Sequence, residues 1–280
     1  MIEFKDLLEK IRSIYGKDFL YGEWINEYTF CTPIYLDHYS LVTLKKDNEG
    51  ICVTIHYDSM GEILDNNWMY PVSEKFIESV AKKYRIDHSD SRYYYLSIDS
   101  LDENEIKDKI GRFTTFISVC ASYKDVGAFI YDESLNNEED YILKYSGKDI
   151  EIEKVRESIY KENYRGWIIG ETKTNDGYIF ETLLRDENGE PLTFEVKKIK
   201  NKTCACVYTN YREVKKLRKL KAIMCLYLGK YDDELELFGE QLDEYVTNNI
   251  NLYLSGILGH LVVANNYEFF DTFDDNLIVR

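Results

Sequence analysis

Two stretches carry a strand-turn-strand pattern, and they constrain the fold more than any other part of the chain. Leu41 to Tyr57, LVTLKKDNEGICVTIHY, alternates valine, threonine and isoleucine with other residues on both sides of Lys46-Asp47-Asn48-Glu49-Gly50. That central run has turn composition, so the stretch reads as a β-hairpin. Tyr178 to Ile199 repeats the design, with strands Tyr178–Leu184 and Leu192–Ile199 joined across Asn188-Gly189, a strong turn signal. Antiparallel hairpins interspersed with helical patterns imply an α+β chain whose two antiparallel sheets are each covered by helices.

The remaining elements follow in order. Ile2, Phe4, Leu7, Leu8, Ile11 and Ile14 keep a near-3.6 period, which predicts an amphipathic helix over about 3–15 that ends near Gly16. Tyr21 to Tyr39 reads as strand, turn and strand, with Pro33 marking an edge or bend because it cannot donate to a ladder. A helix is expected over Val72–Tyr84 with Ser73 as N-cap, then a tyrosine-rich strand at Arg92–Ile98 and a helix over Leu101–Tyr123. Residues 131–141, YDESLNNEEDY, are acidic and poor in apolar side chains. They place a boundary between an N-terminal unit, 1–130, and a C-terminal unit, 131–280. Beyond it come a helix at Ile150–Tyr164, a short strand at Arg165–Gly170, a strand at Thr203–Asn210 and a basic amphipathic helix at Arg212–Leu228. Helices at Leu235–Tyr245 and Ile250–Ala264 follow, and the second is so apolar that it belongs in a core or in a partner.

Charge narrows the function. Asp and Glu number 51 against 35 Lys and Arg, a formal net charge of -16. A field of that sign repels phosphate backbones and anionic lipid, so direct nucleic-acid or membrane binding is disfavoured and a basic protein partner is favoured. Tyrosine is abundant, at 25 residues against 13 Phe, and a ring that can pack its face while wetting its hydroxyl suits interfaces. The six cysteines, at 31, 52, 120, 204, 206 and 225, lie mostly in apolar or strand-like runs, as reduced core thiols of a cytoplasmic protein would. Cys204 and Cys206 would share one strand face, for a common packing role or as an exposed thiol pair able to form an intermolecular disulfide. The opening MIEFKDLLEKIRSIYGKDF lacks the long apolar core of a signal peptide, and no stretch has the length and apolarity of a membrane span.

The order CTPIYLDHYSLVTLKK, VTIHYDSMGEIL, helix, short strand and the helix IGRFTTFISVCAS resembles an uncharacterised bacterial and phage domain family over residues 20–123. Its members carry a Thr-Pro strand, a Thr-Asp-Asp-Gly hairpin and a closing helix. Thr32, Pro33, Asp58 and Gly61 match in position, with Asp58-Ser-Met standing where the family has its acidic pair. The resemblance implies an architecture and no activity.

Few side chains form a pattern that could run a reaction. His38, His56, His88 and His260 show no metal-ligand spacing on a common helix, and Cys204-Ala-Cys206 lacks a second ligand pair at zinc spacing. No cofactor is expected. One arrangement, Asp176 at a strand start followed by Glu195-Val-Lys197 on the next strand, looks like the acid and Glu-x-Lys set of the restriction-endonuclease-like nucleases. In that superfamily two acids bind a divalent metal and the lysine supports the attacking water. A divergent metal-dependent nuclease is therefore the alternative. The favoured expectation is a non-catalytic interaction protein, homo-oligomeric and encoded by a phage or mobile element, that binds and inhibits a host complex. In size, acidity and lack of a catalytic constellation the chain looks like phage inhibitors of bacterial defence complexes of the anti-Gabija kind.

Overall fold

A computed structural model describes residues 2–24, 26–35, 39–48, 50–55, 73–90, 93–122, 151–199, 202–208, 222–227, 254, 257–259, 261–266 and 269. Helix α1 (Phe4–Tyr15) opens the chain and stops at Gly16, whose positive φ and amide bond to the Arg12 carbonyl close its last turn. Strands β1 (Tyr21–Trp24), β2 (Glu27–Tyr35), β3 (Tyr39–Lys46) and β4 (Ile51–Ile55) follow as antiparallel neighbours. Helix α2 (Glu74–Tyr84) is capped by the Ser73 hydroxyl, which accepts the Phe76 amide at 3.2 Å. Strands β5 (Asp87–Asp90) and β6 (Tyr93–Ser97) complete a six-stranded sheet of order β1-β2-β3-β4-β6-β5. After α3 (Glu103–Ser122) and α4 (Ile152–Glu162), strands β7 (Ile168–Lys173), β8 (Gly177–Arg185), β9 (Pro191–Ile199), β10 (Lys202–Tyr208) and β11 (Ala222–Tyr227) form a second antiparallel sheet in the order β11-β10-β9-β8-β7. The class is α+β with two antiparallel sheets.

Both expected hairpins form. Lys46 pairs with Ile51 across a turn closed by the Asp47 amide on the Gly50 carbonyl at 2.9 Å, and Arg185 pairs with Pro191 across the Asn188-Gly189 turn. Pro33 falls where the β2–β3 register shifts, between Cys31 and Tyr35, so the residue that cannot donate sits at the irregularity in an internal strand.

Helix α3 explains how the layers meet. From Phe113 to Ser122 every residue is buried, and RFTTFISVCAS supplies no charged side chain after Arg112. A helix that is apolar or small all round has no solvent face. It packs against β2, β3, β4 and β6 of the first sheet and against β8 of the second. At Gly111 an added Cβ would lie 2.3 Å from Arg185 Cγ and 2.4 Å from the Leu183 carbonyl oxygen, so glycine permits the closest approach of helix and strand. Gly166, with φ of 65°, does the same against the Tyr15 carbonyl oxygen at 2.5 Å. One buried cluster consequently runs from α1 and the first sheet through α3 into Val155, Ile159, Phe180, Leu183 and Phe194. The segment expected as a boundary, 131–141, lies outside the described residues.

Two local expectations need correction. Arg212–Leu228 was expected as one basic helix, but Ala222–Tyr227 is strand β11, paired with β10. Ala-Ile-Met-Cys-Leu-Tyr is a six-residue apolar run that periodicity alone cannot assign, and the open edge of β10 decides it. Strand β5, Asp-His-Ser-Asp, was not expected either, because its residues are poor strand formers and, among the described residues, the ladder of β6 holds them extended. In the apolar C-terminal stretch Leu254, Ile257, Leu258, Leu261, Val262, Val263 and Ala264 are buried within the chain's own core. Asn266 locks this stretch in place: its Oδ1 accepts from Tyr84 Oη at 2.6 Å and Lys83 Nζ at 3.0 Å, and its Nδ2 donates to the Val262 carbonyl at 2.8 Å.

Candidate functional site

The Asp176, Glu195 and Lys197 set is only partly assembled. Glu195 Oε2 and Lys197 Nζ lie 3.1 Å apart on one face of β9, as two-residue alternation requires. Register then separates Asp176 from them. Gly177 pairs with Lys197 and Ile179 with Glu195, while the Lys198 amide donates to the Asp176 carbonyl at 3.4 Å. Asp176 thus stands opposite Lys198, and alternation turns it to the face away from Glu195. Among the described residues no group of three His, Cys, Asp or Glu is placed to hold a metal ion. His38, His56 and His260, with Asp58 and Gly61, lie outside the described residues. His88 is on β5, its ring 5.5 Å from that of Tyr94.

A different cluster has the chemistry of a recognition surface. Amphipathic α4 buries Val155 and Ile159 and turns Arg156 and Tyr160, four residues apart, toward β7 and β8. Arg156 Nε donates to the two Glu171 carboxylate oxygens at 2.9 and 2.8 Å, and Nη2 adds a third bond to Oε1. The guanidinium carbon is 5.4 Å from the Tyr160 ring and 5.3 Å from that of Tyr178, so the cation is held against two aromatic faces. Lys173 Nζ approaches the Tyr178 ring at 5.7 Å, and Tyr178 Oη donates to Glu153. The hydrogen bonds from Arg156 hold the Glu171 carboxyl below its ordinary range. Partial burial, with Glu171 nearby, pushes the Tyr160 phenol up to about 12. At neutral pH the carboxylate is ionised and the phenol protonated, which suits binding rather than proton transfer. Tyr160 is 38% exposed, one of three large apolar or aromatic side chains so exposed among the described residues.

A second aromatic and cationic group lies where the chain leaves α4. The Arg165 guanidinium carbon is 5.1 Å from the Trp167 ring, and Trp167 Nε1 donates to the Cys31 carbonyl at 3.1 Å. Tyr21, 42% exposed, places its hydroxyl 2.8 Å from Cys31 Sγ. Burial pushes the Cys31 thiol up, so it is a poor nucleophile. The Arg156–Tyr160 spacing is legible in the sequence as an i, i+4 pair. Glu171 and Tyr178, which complete the cluster, are brought in only by the sheet.

Comparison of the chain with protein-family models, with curated proteins and with solved structures found no match.

Proposed function

We propose that the chain is an acidic, non-catalytic interaction protein, encoded by a phage or mobile element, that binds and inhibits a host protein complex of anti-phage defence. The observation that carries this reading is the Tyr160–Arg156–Tyr178 stack. Tyrosine and arginine are, with tryptophan, the residues enriched at interface centres, and here Glu171 fixes the guanidinium in advance, which lowers the ordering cost of binding. A net charge of -16 adds long-range attraction to a basic surface and speeds encounter. Among the described residues no helix is long and apolar enough to cross a membrane. Of the stretch Ile250–Ala264 that prompted the expectation of self-association, the described residues Leu254, Ile257, Leu258, Leu261, Val262, Val263 and Ala264 are buried in the chain's own core. The expected homo-oligomer remains part of the proposal, and light scattering of the full chain, which should show a species heavier than one 33.2 kDa chain, tests it.

The test compares wild type with Tyr160→Ala, an exposed truncation with little effect on the core. Tagged wild type should recover one defined host complex, suppress its activity when purified, and restore phage growth in cells that carry it. Tyr160→Ala should bind that complex at least ~10-fold more weakly, the scale of a central tyrosine. Recovery of nucleic acid or a small ligand alone would overturn the reading.

A further inference from the structure

Strands β10 and β11 set two cysteines directly opposite one another. Their antiparallel register is Ala205↔Leu226, Cys206↔Cys225 and Val207↔Met224, with no shift at the cysteine pair. The hydrogen-bonding phase follows from the neighbouring ladders. Because the Lys198 amide bonds to Asp176, the even positions of β9 bond toward β8 and the odd ones, Glu195 included, bond toward β10. Cys206 stands opposite Glu195, so its backbone bonds back to β9 and leaves Cys206↔Cys225 as a non-hydrogen-bonded pair. At such a pair the Cα atoms approach to about 4.5 Å with the side chains closest, inside the span of a disulfide. Cys204 stands opposite Tyr227 instead. Two residues along one strand from Cys206, at ~3.3 Å per residue, it is at the far limit of disulfide reach.

We propose that Cys206 and Cys225 form a redox couple: a dithiol that a low-molecular-weight disulfide converts into a cross-strand disulfide, stapling the edge strand β11 to the second sheet. In the first step a thiolate of the pair attacks the small disulfide, giving a mixed disulfide and releasing one small thiol. In the second the opposing thiolate attacks the protein sulfur of that bond and releases the other small thiol. The protein loses two electrons and two protons, and the small disulfide gains them. Cys206 is fully buried on an interior strand, whereas among the described strands β11 ends the sheet order. Edge strands open more readily than interior ones, so the exchange enters through Cys225 and Cys206 resolves it. This couple is independent of the aromatic surface on α4.

The experiment uses the full chain under native conditions in a graded series of oxidised and reduced glutathione, quenched with acid, alkylated and digested with trypsin. Cleavage after Lys202, Arg212, Lys221 and Lys230 places the cysteines in fragments 203–212 and 222–230. The oxidised protein should give these two fragments disulfide-linked within one chain. Fragment 203–212 also contains Cys204, so Cys204→Ser must retain the link and Cys206→Ser must lose it. If Cys206→Ser fails to fold, Cys225→Ser must release Cys206 to the alkylating reagent under the same oxidation. Both cysteines remaining alkylated at every ratio, a link that survives Cys206→Ser, or a link only between two chains would each overturn the proposal.

Discussion

Thr115 accepts the backbone amide proton of Arg185 on its Oγ1 at 2.9 Å, while the same hydroxyl donates to the Gly111 carbonyl at 2.9 Å. One side chain in the middle of α3 thus satisfies a buried donor of β8, a strand of the other sheet. The contact matters because Arg185 is itself buried, its guanidinium held by Glu181 at 3.0 Å. With Gly111 one turn earlier offering no Cβ, helix and strand approach at backbone distance.

Gly111→Ala is therefore expected to destabilise the protein although alanine is the better helix former. The helical gain is about 1 kcal/mol, whereas the new Cβ would sit 2.4 Å from the Leu183 carbonyl oxygen, which is backbone and cannot rotate away. Overpacking of this kind costs about 1–3 kcal/mol. Thr115→Val should cost a similar ~1–3 kcal/mol by leaving the Arg185 amide unsatisfied. Urea denaturation checks both through a lower midpoint at unchanged slope. Because α3 serves both sheets, wild type should unfold in a single transition by far-ultraviolet circular dichroism and tryptophan fluorescence. Two separated transitions would instead support the two-unit organisation expected from the acidic segment.

Asn266→Leu should loosen the C-terminal stretch. The substitution removes the oxygen that accepts from both Tyr84 and Lys83, and loss of buried hydrogen bonds of this type costs about 1–3 kcal/mol. Hydrogen exchange of amides 261–266 should accelerate more than exchange in α3. Uniform acceleration across the chain would show that the stretch does not open as a separate unit.

What the sequence made legible follows from the range of each signal. Turn chemistry at Asn188-Gly189, the Ser73 cap and the 3.6 period of Phe4, Leu7, Leu8 and Ile11 are local, and the corresponding elements form where expected. The partner of Arg156 is 15 residues away on a strand, and that of Trp167 is 136 residues away, so no local pattern encodes either contact. The same limit bears on the Asp176 reading. Spacing places Glu195 and Lys197 on one face but is silent on the phase of the adjacent strand, which the register alone reveals.

Glu195→Ala should accordingly leave any magnesium-dependent cleavage of DNA at background and leave titration calorimetry with Mg²⁺ or Mn²⁺ unchanged. With Asp176 on the opposite face, the two carboxylates do not converge on one ion. Its effect on stability should be below ~1 kcal/mol, because the Glu195–Lys197 pair is partly solvated. A cleavage activity lost in Glu195→Ala and in Asp176→Ala alike would support the nuclease reading.

Alkaline pH should unfold the protein through its tyrosines. The Tyr160 phenol is raised from an ordinary value near 10 to about 12, by partial burial first and Glu171 next. Tyr15 is raised further by full burial, against a smaller opposing pull from Arg185. For a group whose folded pKa lies above its unfolded value, the stabilisation is complete below the unfolded pKa and is lost as pH rises through the folded one. The urea midpoint should therefore hold up to about pH 10 and fall between pH 10 and 12, in step with the tyrosinate absorbance. Tyr15→Phe separates the contributions. The Tyr15 hydroxyl is buried with no hydrogen-bond partner among the described residues, so its removal should leave neutral-pH stability within ~1 kcal/mol of wild type. The same substitution removes a buried group that must ionise on unfolding in base, so the alkaline fall should become shallower. An alkaline fall in Tyr15→Phe as steep as that of wild type would show that ionisation of this buried ring does not drive the transition.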